Sequence, residues 1–582
     1  MAENTAASPE QGDLLLRIDM TTQTLATEPY PEKWRLLGGR ALSARVLLEE
    51  CDPKCDPLGP HNVLVFAPGV LAGTAAPTSG RLSVGAKSPM TGGSKEANTG
   101  GNPGQHFAKL GYRCVIVTGQ PADASARFGV ELDANGARIV PADDLRGVWN
   151  YPACETLSKR YPKQTSFVIC GPAGEQRLNG ASVGTTDQDN RYPTRHAARG
   201  GLGAVMGSKG LKFMSLDPGR AKLRRPAEPK AFTALVKGFS KEYKSGPQPL
   251  AGGTSTTVPM ANMMHTFPSR NRISGQFEHA DALDGANIHK NFETRGGGMH
   301  NCLTGCIVQC SNVVHGPDGK YITSALEFET LTMLGANCAI GDLDEVAHLD
   351  RLCDDVGLDT IETGAAIGIY MDAGKMDFGD SEGAKRLIRE IGEGTELGKI
   401  IGDGADTTGR ATNHPRVPTV RGQAIPAWDP RPLLATGITY ASSAQGADHT
   451  AGLVTDTGLK GDALAHASQK AQITNAIGDA SGFCMFVGAP TETVRAFYAA
   501  FFGVEITPDE IVDQGWQILL DEWAFNDLAG TPSDAEVMPD CMKTDAIGAN
   551  GDLVFNVESE IIAKAKTRTV TTDELIEAVP AG

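Results

Sequence analysis

Residues 354–359 read DDVGLD and residues 479–484 read DASGFC, two copies of Asp-x-x-Gly-(apolar)-(Asp or Cys), each directly after an apolar-periodic stretch with helical spacing. A glycine just past a helix end commonly takes the left-handed conformation, and the backbone beyond it is free to face a ligand. Two such caps could clasp something between two helical segments. Singly each motif is weak, because Asp near Gly at a helix end is usually only a cap or a turn. The second copy ends in Cys484, which connects it to another unusual stretch.

Residues 301–311 read NCLTGCIVQCS and place Cys302, Cys306 and Cys310 four residues apart. On a helix this spacing stacks three sulfurs on one face. Soft thiolate ligands select zinc, copper(I) or iron–sulfur clusters, and a cubane cluster takes four cysteines. The competing explanation is three small buried hydrophobes, which suits one or two cysteines better than three in register beside glycine and polar residues. Zinc stays open on spacing alone. Cys338, Cys353 and Cys484 are the candidates for a fourth ligand.

Around these motifs the chain changes texture. Residues 62–70, 114–117 and 166–170 are short apolar, β-branched runs between Gly and Pro turns, so residues 1–217 read as a β-rich domain. Residues 217–230, DPGRAKLRRPAEPK, are polar, basic and punctuated by prolines, as connections between domains are. Helical periodicity follows at 325–337, 343–353, 360–372 and 382–391, then again at 462–475 and 492–502 after a Pro-rich break. The expected class is α+β: a β-rich domain (1–217) forming a base, then two mainly helical domains (218–414 and 415–582). No repeat of fixed period is visible.

At 582 residues the chain exceeds one ordinary core, and 40% apolar with 21% charged residues is a globular balance. Glycine is the unusual component, 69 copies clustered in short loops that suit close backbone approach to a bulky ligand. A net charge of −17 argues against nucleic acid or an anionic membrane as the main partner. No opening stretch resembles a secretory leader and no window has the length of a membrane span, so a cytoplasmic protein is expected. Twelve scattered cysteines do not form a disulfide framework.

With the paired Asp-x-x-Gly motifs and the cysteines in view, the sequence resembles the tungsten-containing aldehyde ferredoxin oxidoreductases. The similarity extends to residues 37–41 (LGGRA), 81–101 (RLSVGAKSPMTGGSKEANTGG), 195–209 (RHAARGGLGAVMGSK) and 326–337 (LEFETLTMLGAN), and so spans nearly the whole chain. The resemblance implies a tungsten bis-pterin held by Asp354, Gly357 and Asp359 on one side and Asp479 and Gly482 on the other. It implies a 4Fe–4S cluster on Cys302, Cys306, Cys310 and Cys484. Phosphate-binding chemistry falls to Arg81, Asn98, Arg195 and Arg199, with Mg2+ linking the phosphates and taking the Asn98 carbonyl; backbone N–H groups and guanidinium forks are what phosphate requires.

Glu329 matches the family's glutamate facing the metal and His449 the histidine beside it, implying a base that activates water and a donor to the substrate oxygen. The implied activity is oxidation of an aldehyde to a carboxylic acid, with electrons leaving to ferredoxin or a dedicated iron–sulfur subunit, in a homodimer or heteromeric complex. Two rival readings are a subunit resembling tungsten-dependent benzoyl-coenzyme A reductases and a non-catalytic electron-transfer subunit. The chain departs from the family in its cysteine spacing, three residues in both gaps where two and three are usual. One extra residue turns a helical thiolate by about 100°.

Overall fold

The computed structural model describes residues 13–531 and 538–576. Twelve strands build the N-terminal base: β1 (Leu14–Asp19), β2 (Thr24–Pro29), β3 (Leu64–Pro68), β4 (Leu82–Lys87), β5 (Ser94–Thr99), β6 (Tyr112–Thr118), β7 (Phe128–Asp133), β8 (Gly136–Pro141), β9 (Ser166–Cys170), β10 (Val183–Thr185), β11 (Arg195–Ala197) and β12 (Leu211–Leu216). The first six form one sheet in the order β2-β1-β6-β3-β4-β5. The second six form another, β8-β7-β12-β9-β10-β11. Adding six to each number of the first order gives the second. In each sheet the one parallel pair joins first strand to sixth, β1 with β6 and β7 with β12. The base is thus an internal duplication that no fixed sequence period discloses, since only the topology is retained.

Short apolar strands such as β3, β4 and β9 are buried along their whole length, which explains why they read as continuous runs rather than alternating ones. The two sheets share a core containing Phe66, Phe107, Val115, Val168, Met206 and Met214. This mixed α+β architecture, with a β-rich N-terminal part and largely helical remainder, is the expected class.

Beyond residue 228 helices dominate. Leu343–Val356 and Thr360–Asp372 straddle the first Asp-x-x-Gly motif, and Asp462–Ser481 runs into the second. A small sheet of β13 (Gly297–His300), β14 (Ser311–His315) and β15 (Tyr321–Ser324) carries the cysteine stretch between its first two strands. Helix Pro229–Ser245 packs on Thr491–Phe502 through Phe232, Phe239 and Phe497, so packing links the start of the helical region to its later part. No helix among the described residues is long and apolar enough to cross a membrane.

Candidate active site

Each half of the duplicated base receives one Asp-x-x-Gly motif, and the two receptions match bond for bond. Gly357 and Gly482 close their helices with φ of 81° and 89°, the left-handed geometry expected of the motif. The Gly357 carbonyl accepts from Ser182 N–H at 2.9 Å and the Gly482 carbonyl from Arg81 N–H at 3.2 Å. Ser182 and Arg81 are the residues immediately before β10 and β4, equivalent strands of the two halves. The motif ends reciprocate: Asp359 N–H donates to Gly180 O at 2.9 Å and Cys484 N–H to Thr78 O at 3.0 Å. Gly171 and Gly69, which follow the equivalent strands β9 and β3, supply the close approach. A Cβ on Gly171 would stand 2.3 Å from Val356 O, and one on Gly69 2.1 Å from Gly482 Cα.

Between the two clasps opens a cavity of about 460 Å³. Arg81, Arg195, Asp354, Glu329 and His449 line it, joined by Glu327, Thr254, Asp350 and Trp428, which sequence reasoning did not assign. Glu329 sits on a single α-turn, Phe328–Thr330, that widens at once into the π-helical turn Leu331–Gly335; such turns redirect side chains and gather at functional sites. Its Oε2 accepts from Ala427 N–H at 2.7 Å. Its Oε1 stands 3.5 Å from His449 Nδ1. Both of these atoms are buried without a hydrogen-bond partner, an arrangement that costs stability unless a ligand completes it.

Asp448 anchors the histidine. It caps the turn His449–Ala451 and pairs with the buried Lys95 at 2.5 Å. Burial opposes its ionisation, but Lys95 and Arg199 outweigh it and hold the carboxyl well below the usual range. Glu327, a second carboxyl on the cavity wall, is pushed up by burial, against the opposing pull of the Thr254 hydroxyl and Arg195.

The remaining assigned residues divide by what they touch. Arg81 donates through Nη2 to the Asn98 carbonyl at 3.2 Å and through Nε to the Asn98 side chain. Arg195 pairs with buried Asp187 at 2.6 Å, and His300 Nε2 lies 3.0 Å from both groups. Asp354 meets His196 at 3.0 Å. Arg199 does not reach the cavity: it bonds Asp359 at 3.3 Å and the carbonyls of Ala424 and Ala447, tying the base to both helical segments. Asp359 meanwhile caps helix Thr360–Asp372. Asp479 faces Arg40 at 3.4 Å, yet Glu522 claims that guanidinium with two bonds, so burial dominates and pushes Asp479 up to about 6.

The cysteines converge, but not on a helix. Residues 301–310 form an irregular loop, with Gly305 at φ 84° and Gln309 at φ 57°, so the sulfurs are not stacked on a helix face and the extra residue imposes no helical rotation. The loop is pinned to the base by Gly101 N–H donating to Cys302 O at 3.0 Å and by Thr78 N–H donating to Gly305 O at 2.9 Å. Thr78 is also the residue that accepts from Cys484 N–H, so one residue brings the fourth cysteine to the other three. Cys338 instead bonds Met333 O and Gly364 O, and Cys353 lies in another core. Cys302 and Cys306 are within mutual hydrogen-bonding reach, and Cys310 and Cys484 feel their charge; burial pushes the latter two thiols up.

Among the described residues no three of these sulfurs lie within 4.8 Å of one another. A group that does lie within 4.8 Å is Asp187, Asp189 and His300, where Arg195 already supplies the positive charge. The free, converging thiols, the unpartnered Glu329 and His449 atoms and the two glycine clasps together fit a bulky bis-pterin with an adjacent cluster. A Cβ on Gly100 would lie 3.3 Å from Arg81 and 3.4 Å from Cys302 Sγ, so cluster loop and cavity wall are separated by little more than that glycine.

Family models agree with this architecture. Residues 15–218 match the aldehyde ferredoxin oxidoreductase N-terminal domain and residues 234–564 match domains 2 and 3 of the same family. The chain belongs to the aldehyde ferredoxin oxidoreductase family and is an oxidoreductase of the tungsten-containing type, in which tungsten-pterin and iron–sulfur cofactors are typical. The tungsten-containing aldehyde ferredoxin oxidoreductase of Thermococcus kodakarensis is 30% identical over 90% of each chain. The WOR-like subunit of an aliphatic sulfonate oxidoreductase from Pyrococcus furiosus is 26% identical over 86% of this chain and 83% of that one. In structure the chain resembles the active-site complex BamBC of benzoyl coenzyme A reductase bound to 1,5-dienoyl-CoA, with TM-score 0.77, 18% identity, and coverage of 95% and 93%; that likeness concerns the fold.

Proposed function

We propose that this chain is the catalytic subunit of a cytoplasmic enzyme that oxidises aldehydes to carboxylic acids and passes the electrons through a 4Fe–4S cluster to ferredoxin or an iron–sulfur partner. The observation that carries the reading is the pairing of Glu329 Oε1 with His449 Nδ1 at 3.5 Å on the wall of the cavity, both atoms buried and otherwise unpartnered. The names of the relatives do not agree on a substrate, and the site chemistry favours the aldehyde over the two rival readings. A base and a donor side by side suit addition of water to a carbonyl, and a non-catalytic subunit would have no use for them.

Bound in this cavity, a tungsten bis-pterin would supply a Lewis-acidic, two-electron acceptor, and a cluster on Cys302, Cys306, Cys310 and Cys484 would release those electrons singly. The chain supplies the rest. Glu329, oriented by the Ala427 N–H, takes a proton from water as its oxygen bonds the carbonyl carbon. His449 donates to the carbonyl oxygen and Asp448 with Lys95 fixes the backbone turn that carries it. One water and one aldehyde yield the acid, two protons and two electrons.

Asp354, Gly357, Asp359, Asp479, Gly482, Arg81 and Asn98 would hold the pterins through the paired clasps, with Arg195 beside the cavity and Arg199 acting through Asp359. A Mg2+ between the phosphates rests on the family resemblance; the Asn98 carbonyl assigned to it accepts from Arg81. The test is anaerobic purification, metal analysis, and aldehyde-dependent reduction of benzyl viologen. Tungsten near one per chain with about four irons and turnover of an aldehyde supports the reading; full cofactor content with no aldehyde oxidised overturns it.

A further inference from the structure

A groove of about 1020 Å³ that shares no lining residue with the catalytic cavity lies along the basic connection that follows β12. Lys109, Arg220, Lys222 and Arg225 line it, and none of the four has an ion-pair or hydrogen-bond partner among the described residues. Two carboxylates line it. Asp13 is consumed by Arg113 and Arg224, and Glu32 lies 3.7 Å from Arg35. On a chain of net charge −17, four uncompensated cations in one concavity are a local inversion of sign. Leu223 lines the groove with them and stands exposed, so apolar and cationic surface lie together, as protein interfaces combine them and small-anion sites need not. The aromatic faces that could stack a nucleotide base are already covered: Arg224 lies over Phe501 and Arg35 over Phe502.

The groove is wired to the cysteine loop. Arg224 N–H donates to Gly73 O at 2.7 Å and its guanidinium to Val70 O at 2.7 Å. Five residues on, Thr78 of the same segment holds both Gly305 and Cys484. Five residues cannot span more than about 18 Å. A partner seated on the groove therefore meets the segment whose far end, Thr78, holds the cysteine loop and Cys484.

We propose that this groove is the docking site of an acidic one-electron carrier protein, which receives the electrons released by the cysteine-bound cluster. The inference rests on the functional reading above for the source of those electrons, while the docking itself can be measured without turnover. The experiment compares holoenzyme with the variant K109E/R220E/K222E/R225E, using a purified acidic 4Fe–4S ferredoxin. Its binding is measured by calorimetry at low and high salt, its KM in aldehyde-dependent reduction, and benzyl viologen reduction serves as the control for folding. The expected result is a Kd and KM for ferredoxin raised about tenfold or more at low salt, a flattened salt dependence, and unchanged viologen activity.

Equal ferredoxin affinity in both proteins overturns the proposal, as does a variant that loses binding of inorganic triphosphate alone. Groove-dependent ferredoxin binding in an enzyme that oxidises no aldehyde supports docking and sinks the substrate assignment. Should the fourfold variant lose viologen activity, the milder R220Q/K222Q pair is read in the same way, with about a threefold rise in Kd expected and no rise counting against the proposal.

Discussion

The sharpest test of the duplicated clasp is to put a single methyl group into each half. In Gly69→Ala the new Cβ would stand 2.1 Å from Gly482 Cα and 2.2 Å from Gly482 N; in Gly171→Ala it would stand 2.3 Å from Val356 O. Ordinary contact begins at 3.4 Å, so in either half the motif must retreat from the base by roughly 1 Å. The obstacles are backbone atoms, which no rotamer change can clear. Neither glycine has a positive φ, so the effect is one of space and not of conformational freedom.

Overpacking of this kind costs about 1–3 kcal/mol, which in a protein this size lowers the thermal midpoint by about 1–3 °C. The retreat also opens the clasp, so tungsten per chain should fall in both variants. Gly478→Ala is the internal control: it lies in helix Asp462–Ser481 with nothing within 4 Å of the added Cβ, and should raise stability by about 0.5–1 kcal/mol. Scans at one fixed rate together with elemental analysis decide the matter. If Gly69→Ala and Gly171→Ala retain full tungsten and melt like Gly478→Ala, the matched clasps are not what holds the motifs to the base.

Glu329→Gln keeps an acceptor for Ala427 N–H but cannot take a proton, so kcat should fall about 10²- to 10⁴-fold with metal content intact; activity within threefold of the parent would remove Glu329 from the proposed base role. Cys484→Ser should reduce iron per chain while leaving Cys338→Ser at parent level, because Cys338 bonds carbonyls in a separate core; equal iron in both contradicts the ligand set. Glu96 is raised by burial, with Asp479 adding to it, from 4.5 to about 8. The native state therefore holds a proton that the unfolded chain releases, and stability falls as pH rises from about 4.5 to 8 and levels outside that window. Glu96→Gln, a neutral mimic of the protonated form, should flatten this fall in a plot of thermal midpoint against pH; an unaltered slope assigns the dependence to other groups.

Residues whose chemistry depends on type and local spacing were legible in the sequence. The Asp-x-x-Gly caps announce themselves because a left-handed residue after a helix demands glycine, and Gly357 and Gly482 adopt that geometry. Three cysteines within nine residues declared a soft-ligand site; their spacing is compatible with a helix or a loop, and the bonds of Thr78 to Gly305 and of Gly101 to Cys302 decide for the loop.

Other features belong to tertiary structure alone. The duplication of the base is invisible in sequence because what is conserved between its halves is strand order and the close approach at Gly69 and Gly171, which many sequences satisfy. The choice of Cys484 over Cys338 and Cys353 depends on Thr78, some four hundred residues away along the chain. Arg199 read as a phosphate ligand because an arginine before paired glycines suits that role; in the fold Asp359 and two carbonyls claim its donors first. Sequence determined which groups the chain possesses, and only the packing of base against helices decided which of them remain free to meet a ligand, since a buried polar group is available only when nothing nearer has already satisfied it.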